Sequence, residues 1–171
     1  MAYPQGYDKE EFGFGSISSI QDDESGNPTW LVSGHWKSNL LSNESRILDQ
    51  ENKTYSGSSF DSQVEMVRLN GTAQHTHAIT NFILTNSSQP NNITEVFNGT
   101  STASLREGPV TDIPTSIKIM GDTVINIWLD PVKVKNHFGD TPIYGFMEKK
   151  PGTQMYTRPN NTQTGNNNMG R

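Results

Sequence analysis

Hydrophobic and polar residues alternate along much of this 171-residue chain, which is the period-two pattern of half-buried β-strands. The alternating segments are 13–20, 29–40, 60–69, 73–85, 116–120 and 123–129. No segment has the 3.6-residue spacing of an amphipathic helix. The pattern predicts an all-β domain, either an antiparallel β-sandwich or a jelly-roll-like barrel, with minor helix below about 15% of residues.

Turn-forming residues divide these segments. Asn70-Gly71 is a strong hairpin signal, so 60–69 and 73–85 are predicted to pair antiparallel. We predict 13–20 to be an edge strand, and we predict loops over 42–59 and over 86–92. Residues 132–137 are compatible with one helical turn or a short strand.

The length predicts a single domain, at residues 12–150. Residues 1–11 are polar and predict a flexible N-terminal arm. Residues 151–171 are rich in Asn, Gly and Thr and predict a disordered tail, because they cannot bury enough apolar surface to offset the entropy of ordering them.

The charge and the cysteine content exclude several functions. The net charge of −5 is spread thinly, so nucleic-acid binding is not indicated. No apolar stretch approaches the ~20 residues of a membrane-spanning helix. Cysteine is absent, which excludes disulfides, thiolate metal sites and the blue-copper type of site.

Glycosylation sequons are the best indication of the compartment. Seven Asn-x-Ser/Thr sequons occur, roughly twice the number expected from the Ser and Thr content. They begin at Asn43, Asn52, Asn70, Asn86, Asn92, Asn98 and Asn160. This predicts a secreted or cell-surface glycoprotein.

Two of the four histidines, His75 and His77, are two residues apart in a predicted strand. Positions i and i+2 of a strand share a face, with Cα atoms about 6.6–6.8 Å apart, so both imidazoles can bind one ion. His35 and His137 also fall in segments predicted to be structured. We predict a metal site of His75 and His77 with His35 as the preferred third ligand and His137 as a further one.

Imidazole ligands suit copper and zinc, whereas calcium and magnesium prefer oxygen. Three histidines and an open position also resemble the zinc site of carbonic anhydrase, which makes a zinc hydratase or hydrolase one alternative. A redox or carrier protein with copper is the other metal-dependent interpretation. Whether the protein is an enzyme, its small-molecule substrate and a homo-oligomeric state stay open.

Four segments resemble a known group of proteins: Gly34-His35-Trp36, 70–77 with Asn81-Phe82, 127–131, and 136–139. They are similar to segments of secreted, largely uncharacterised β-rich proteins of ammonia-oxidising archaea. The resemblance covers about residues 29–147. It implies export and a copper-rich metabolism, which favours copper, and it implies no catalytic residues.

A function without metal remains the competing interpretation. In it, the chain is a cell-surface structural or interaction domain whose histidines are incidental, which is the commoner role of a lone histidine. The sequence contains no Gly-x-Ser-x-Gly motif and no evident glycosidase carboxylate pair, so those hydrolase classes are not indicated.

Overall fold

The structure, a computed structural model, describes residues 13–23, 25–41, 48–49, 54–55, 57–121 and 123–148. These residues form ten strands: β1 (Gly13–Asp22), β2 (Pro28–Ser38), β3 (Leu48–Asp49), β4 (Thr54–Tyr55), β5 (Phe60–Arg68), β6 (His75–Asn91), β7 (Thr94–Leu105), β8 (Gly108–Met120), β9 (Val124–Leu129) and β10 (Ile143–Met147). They contain no helix, and hence none that could cross a membrane. The predicted arm and tail lie outside the described residues.

Eight of the strands close into an antiparallel barrel in the order β1-β2-β5-β6-β7-β8-β9-β10, with β10 pairing back to β1. The short β3–β4 pair lies in the connection between β2 and β5. This confirms the all-β prediction in its barrel form. Successive strands are neighbours, so the barrel is of the up-and-down kind and not a jelly roll. Because β1 pairs on both sides, the predicted edge strand is wrong.

Side chains that alternate inward fill the barrel and leave the intervening positions outside. On β2, Val32 and Trp36 are completely or almost completely buried, and His35 between them is exposed. The largest fully buried side chains are Trp36, Phe60, Phe97, Leu40, Met66, Ile79, Leu84, Ile113, Ile117, Ile125, Ile127 and Ile143. The barrel interior is therefore a packed core.

The predicted hairpin around Asn70-Gly71 is confirmed, with a longer connection than a two-residue turn. Strands β5 and β6 pair antiparallel, with Met66 opposite His75. Asn70 Oδ1 accepts hydrogen bonds from the backbone N–H and hydroxyl of Thr72, and Gly71 has a φ of 80°. The side chain of Asn70 thus closes the turn.

The predicted loop at 86–92 is wrong, because β6 continues to Asn91 and pairs with β7. The register shifts between Ser88 and Asn91, where Pro90 lies. A proline at such an irregularity removes no ladder hydrogen bond, so the strand tolerates it. The predicted loop at 42–59 is only partly described, and it includes the short strands β3 and β4.

The connection between β9 and β10, residues 130–142, covers one end of the barrel. Its Val134 and Phe138 are buried with the core. Asp130 Oδ1 accepts hydrogen bonds from the backbone N–H groups of Val132 and Lys133, which fixes the start of the segment. The segment consists of hydrogen-bonded turns, and it brings His137 over the end of the barrel.

Candidate metal centre

Strand β6 places His75 and His77 on the inward face at the same end of the barrel. His77 pairs with Val64 of β5 and is only 4% exposed, whereas His75 is half-buried. The two ring centroids are 4.8 Å apart. The prediction that these histidines share a face is confirmed.

His137 completes a cluster of three imidazoles. Its Nε2 lies 2.7 Å from His77 Nε2 and 3.2 Å from His75 Nε2. Two consecutive residues of the connection, Lys135 and Asn136, have φ values of 51° and 56°. These left-handed conformations turn the chain immediately before His137, at a cost that tertiary packing has to offset.

Two backbone carbonyls determine which nitrogen of His75 and His77 carries the proton. His75 Nδ1 is 2.7 Å from the carbonyl oxygen of Ala73, and His77 Nδ1 is 2.5 Å from that of Ser104. A carbonyl oxygen only accepts hydrogen bonds, so each Nδ1 carries the hydrogen and donates it. In the neutral rings, Nε2 of His75 and of His77 therefore presents a lone pair.

Both lone pairs are directed at the same partner, Nε2 of His137. This nitrogen has at most one hydrogen, which forms one good hydrogen bond and leaves the other lone pair without a donor. A cation at the centre would interact with all three nitrogens. A tetrahedral ion with bonds of 2.0–2.1 Å separates its nitrogen ligands by about 3.3–3.4 Å. The distance between Nε2 of His75 and Nε2 of His137 is already close to this value, whereas Nε2 of His77 and Nε2 of His137 would have to move apart by about 0.6–0.7 Å.

Aromatic side chains hold the rings in place. Trp30 packs edge-on against His75 at 5.3 Å between centroids, and Phe138 contacts His77 at 5.2 Å. The guanidinium of Arg68 lies 5.3 Å from the centroid of Trp30. Carbonyl partners and rigid packing of this kind are what orient histidines at metal sites.

The electrostatics of the cluster favour neutral imidazoles. Burial, reinforced by the nearby His77 and His75, lowers the pKa of His137 to about 4. Burial also lowers the pKa of His77. The hydrogen bond to the Ser104 carbonyl raises this pKa in part, and the nearby His75 lowers it further. At neutral pH both rings are therefore in the unprotonated form that binds a metal.

The structure does not place His35 with the other three histidines, so His137 replaces it as the third member of the cluster. His35 lies on the outside of β2, between Ser16 of β1 and Gln63 of β5. Its strand neighbour Trp36 points into the barrel, as His77 does, so His35 faces away from the cluster. Among the described residues, His75, His77 and His137 form a possible metal-binding group, and no Asp or Glu belongs to it.

Sequence reasoning missed the orienting groups of this site. They are the backbone carbonyls of Ala73 and Ser104, which have no signature in side-chain identity. The parity of β2 was a usable signal: once Trp36 is assigned to the core, His35 must face outward.

The cluster is open on one side to a surface depression. Its lining comprises Trp30, Ala73, Gln74, His75, Thr76, His77, Ser104, Leu105, Arg106 and His137. An ion bound by the three Nε2 atoms would therefore be accessible to small molecules. Three protein ligands with an accessible fourth position are typical of catalytic metal sites, whereas structural zinc sites are closed.

No protein-family model matches this sequence. No curated protein and no solved structure matches it either.

Proposed function

We propose that this protein binds one transition-metal ion, copper or zinc, through Nε2 of His75, His77 and His137. The observation that carries the proposal is the convergence of two fixed lone pairs on the third nitrogen. A histidine cluster that serves only packing has no need for two lone pairs facing one nitrogen, because buried polar groups normally find a complementary partner.

The ligand set favours copper over zinc in affinity. All three ligands are imidazoles, which exclude a preference for calcium or magnesium. Divalent copper binds nitrogen sites more tightly than divalent zinc. The resemblance to secreted archaeal proteins also favours copper, with a redox or carrier role outside the cell. The exposed sequon residues Asn70, Asn86 and Asn92 are compatible with that compartment.

Zinc defines the second candidate function, a hydratase or hydrolase. Three neutral ligands leave the full charge of the ion uncompensated, and such an ion lowers the pKa of a bound water towards 7. The depression beside the cluster gives that water and a substrate access. This open side is the specific observation that favours a catalytic role.

Metal titration of the apoprotein, prepared without a histidine tag, tests the proposal. Calorimetry and elemental analysis should give one equivalent of copper or zinc per chain, and His77→Ala should abolish stoichiometric binding. His35→Ala is the matched control, because it removes an exposed histidine outside the cluster. If the wild-type protein binds neither metal, the proposal fails and the structural or interaction domain is the better interpretation.

A further inference from the structure

We infer that the open side of the three-histidine centre takes a small organic carboxylate, and that Arg106 positions it. This inference rests on the proposed metal site and names the class of ligand that completes it. Three kinds of observation support it: the charge of the ligand set, the lining of the depression and the pairing of nearby acidic groups.

The first observation concerns charge. A divalent ion held by three neutral imidazoles keeps its two positive charges, since no carboxylate of the described residues belongs to the cluster. An anionic ligand at the fourth position offsets part of this charge in a partly desolvated setting, where Coulomb attraction is stronger than in bulk water. The site therefore favours an anion over a neutral ligand.

The second observation concerns the lining of the depression. Arg106 is its one charged side chain apart from the histidines. It is two residues after Ser104, whose carbonyl accepts the hydrogen bond from His77 Nδ1. A guanidinium binds a carboxylate with two parallel hydrogen bonds, so Arg106 suits the oxygen atoms of a carboxylate.

The acidic side chains near the rim of the depression are paired with residues other than Arg106. The Glu107 carboxylate is 2.5 Å from Lys135 Nζ, and that contact is the main reason its pKa lies below the usual range, with Arg106 a minor contributor. Glu65 accepts a hydrogen bond from the Gln74 side chain. Both carboxylates thus have other partners, which leaves Arg106 available to an external anion.

The apolar part of the lining narrows the class further. Trp30 and Leu105 face the depression together with the histidines, and Trp30 packs beside His75. A ligand with an apolar or aromatic group next to its carboxylate would bury that group against Trp30. Benzoate should therefore bind more tightly than acetate, and inorganic anions such as chloride should bind least.

The test uses the copper-loaded full chain and follows the visible absorption of the copper during titration with acetate or benzoate at constant ionic strength. We expect a saturable spectral change with benzoate tighter than acetate. Arg106 is exposed, so Arg106→Gln should weaken the binding of both carboxylates by up to about fivefold, the upper end for an exposed ion pair, without changing the affinity for copper. Lys118→Gln, the same charge change on the exposed outer face of β8, should leave both affinities unchanged.

Two results would overturn the inference while leaving the metal site intact: copper binds but carboxylates cause no saturable change beyond that of chloride, or Arg106→Gln matches the wild type. Calorimetry that shows carboxylate binding of equal strength to the metal-free protein would overturn it as well. Failure to bind copper and zinc at all would instead refute the proposed function, and this inference with it.

Discussion

Replacing His77 should remove the stabilisation that metal gives to the folded protein. Binding to the native state alone raises the free energy of unfolding by about 2.7 kcal/mol when free metal is 100 times the dissociation constant. For a chain of this length, each kcal/mol raises the melting temperature by about 2–4 °C, so the wild type should gain about 5–11 °C. If loss of one ligand weakens binding 100-fold, His77→Ala retains only about 0.4 kcal/mol of this effect.

The same substitution also has a cost in the metal-free protein. It removes the hydrogen bond to the Ser104 carbonyl, which contributes about 0.5–1.5 kcal/mol, and the packing against Phe138. Thermal unfolding of both proteins with and without metal separates the two effects. His35→Ala should keep the full metal-dependent gain. An equal gain in His77→Ala and wild type would refute the assignment of His77 as a ligand.

Three further predictions concern the protonation of the cluster, its loop and the barrel. Burial and the neighbouring His77 and His75 lower the pKa of His137 to about 4 in the folded protein. Between about pH 4 and 6.5 the unfolded chain therefore binds more protons than the folded chain does. The stability of the metal-free protein should therefore be complete above about pH 6.5 and fall towards pH 4. The loss should stay below about 3.4 kcal/mol, the value for the full shift, because His137 is only half-buried and solvent screens its charge. Denaturant unfolding at several pH values measures this loss, and a flat profile would contradict the prediction. Asp130→Ala removes the hydrogen bonds to the backbone N–H groups of Val132 and Lys133, so it should cost about 0.5–1.5 kcal/mol of stability, the usual net contribution of a hydrogen bond. It should also weaken metal binding in calorimetry. Unchanged values would mean that Asp130 does not hold the loop. Gly15→Ala places a Cβ atom 1.8 Å from the carbonyl oxygen of Phe146, so it should cost about 1–3 kcal/mol of stability in chemical denaturation. Gly13→Ala is the control and should cost less, because its Cβ meets side-chain carbons of Trp36 and Met147 at 3.3 Å or more. The reverse order of the two costs would argue against the pairing of β1 with β10.

The sequence predicts the fold class well because alternation reports directly which side chains face the core. Val32, Trp36 and Val64 are buried as their strand parity requires. The sequence predicted a sandwich or a barrel but did not choose between them, since the pairing of β10 with β1 joins residues far apart in the chain and leaves no local signal. Turn-forming residues also misled the assignment of 86–92, where β6 tolerates Pro90 at a shift in register.

The candidate site, like the fold, was predictable from the sequence only in part. The spacing of His75 and His77 fixes their common face in any strand, so that half of the site was predictable. The third member depends on how residues 130–142 cross the end of the barrel, and hence on the burial of Val134 and Phe138 and on two left-handed residues. Such tertiary geometry is not encoded in local spacing, which is why the sequence alone favoured His35.

The location of a bound ion tests the central claim most directly. Crystals of the protein loaded with copper or zinc, measured at the absorption edge of that metal, should show one anomalous peak about 2.0–2.1 Å from Nε2 of each of His75, His77 and His137. The Nδ1 atoms of His75 and His77 should still donate to the carbonyls of Ala73 and Ser104. A peak at His35, coordination through Nδ1, or no peak at the cluster in metal-saturated crystals would contradict the account.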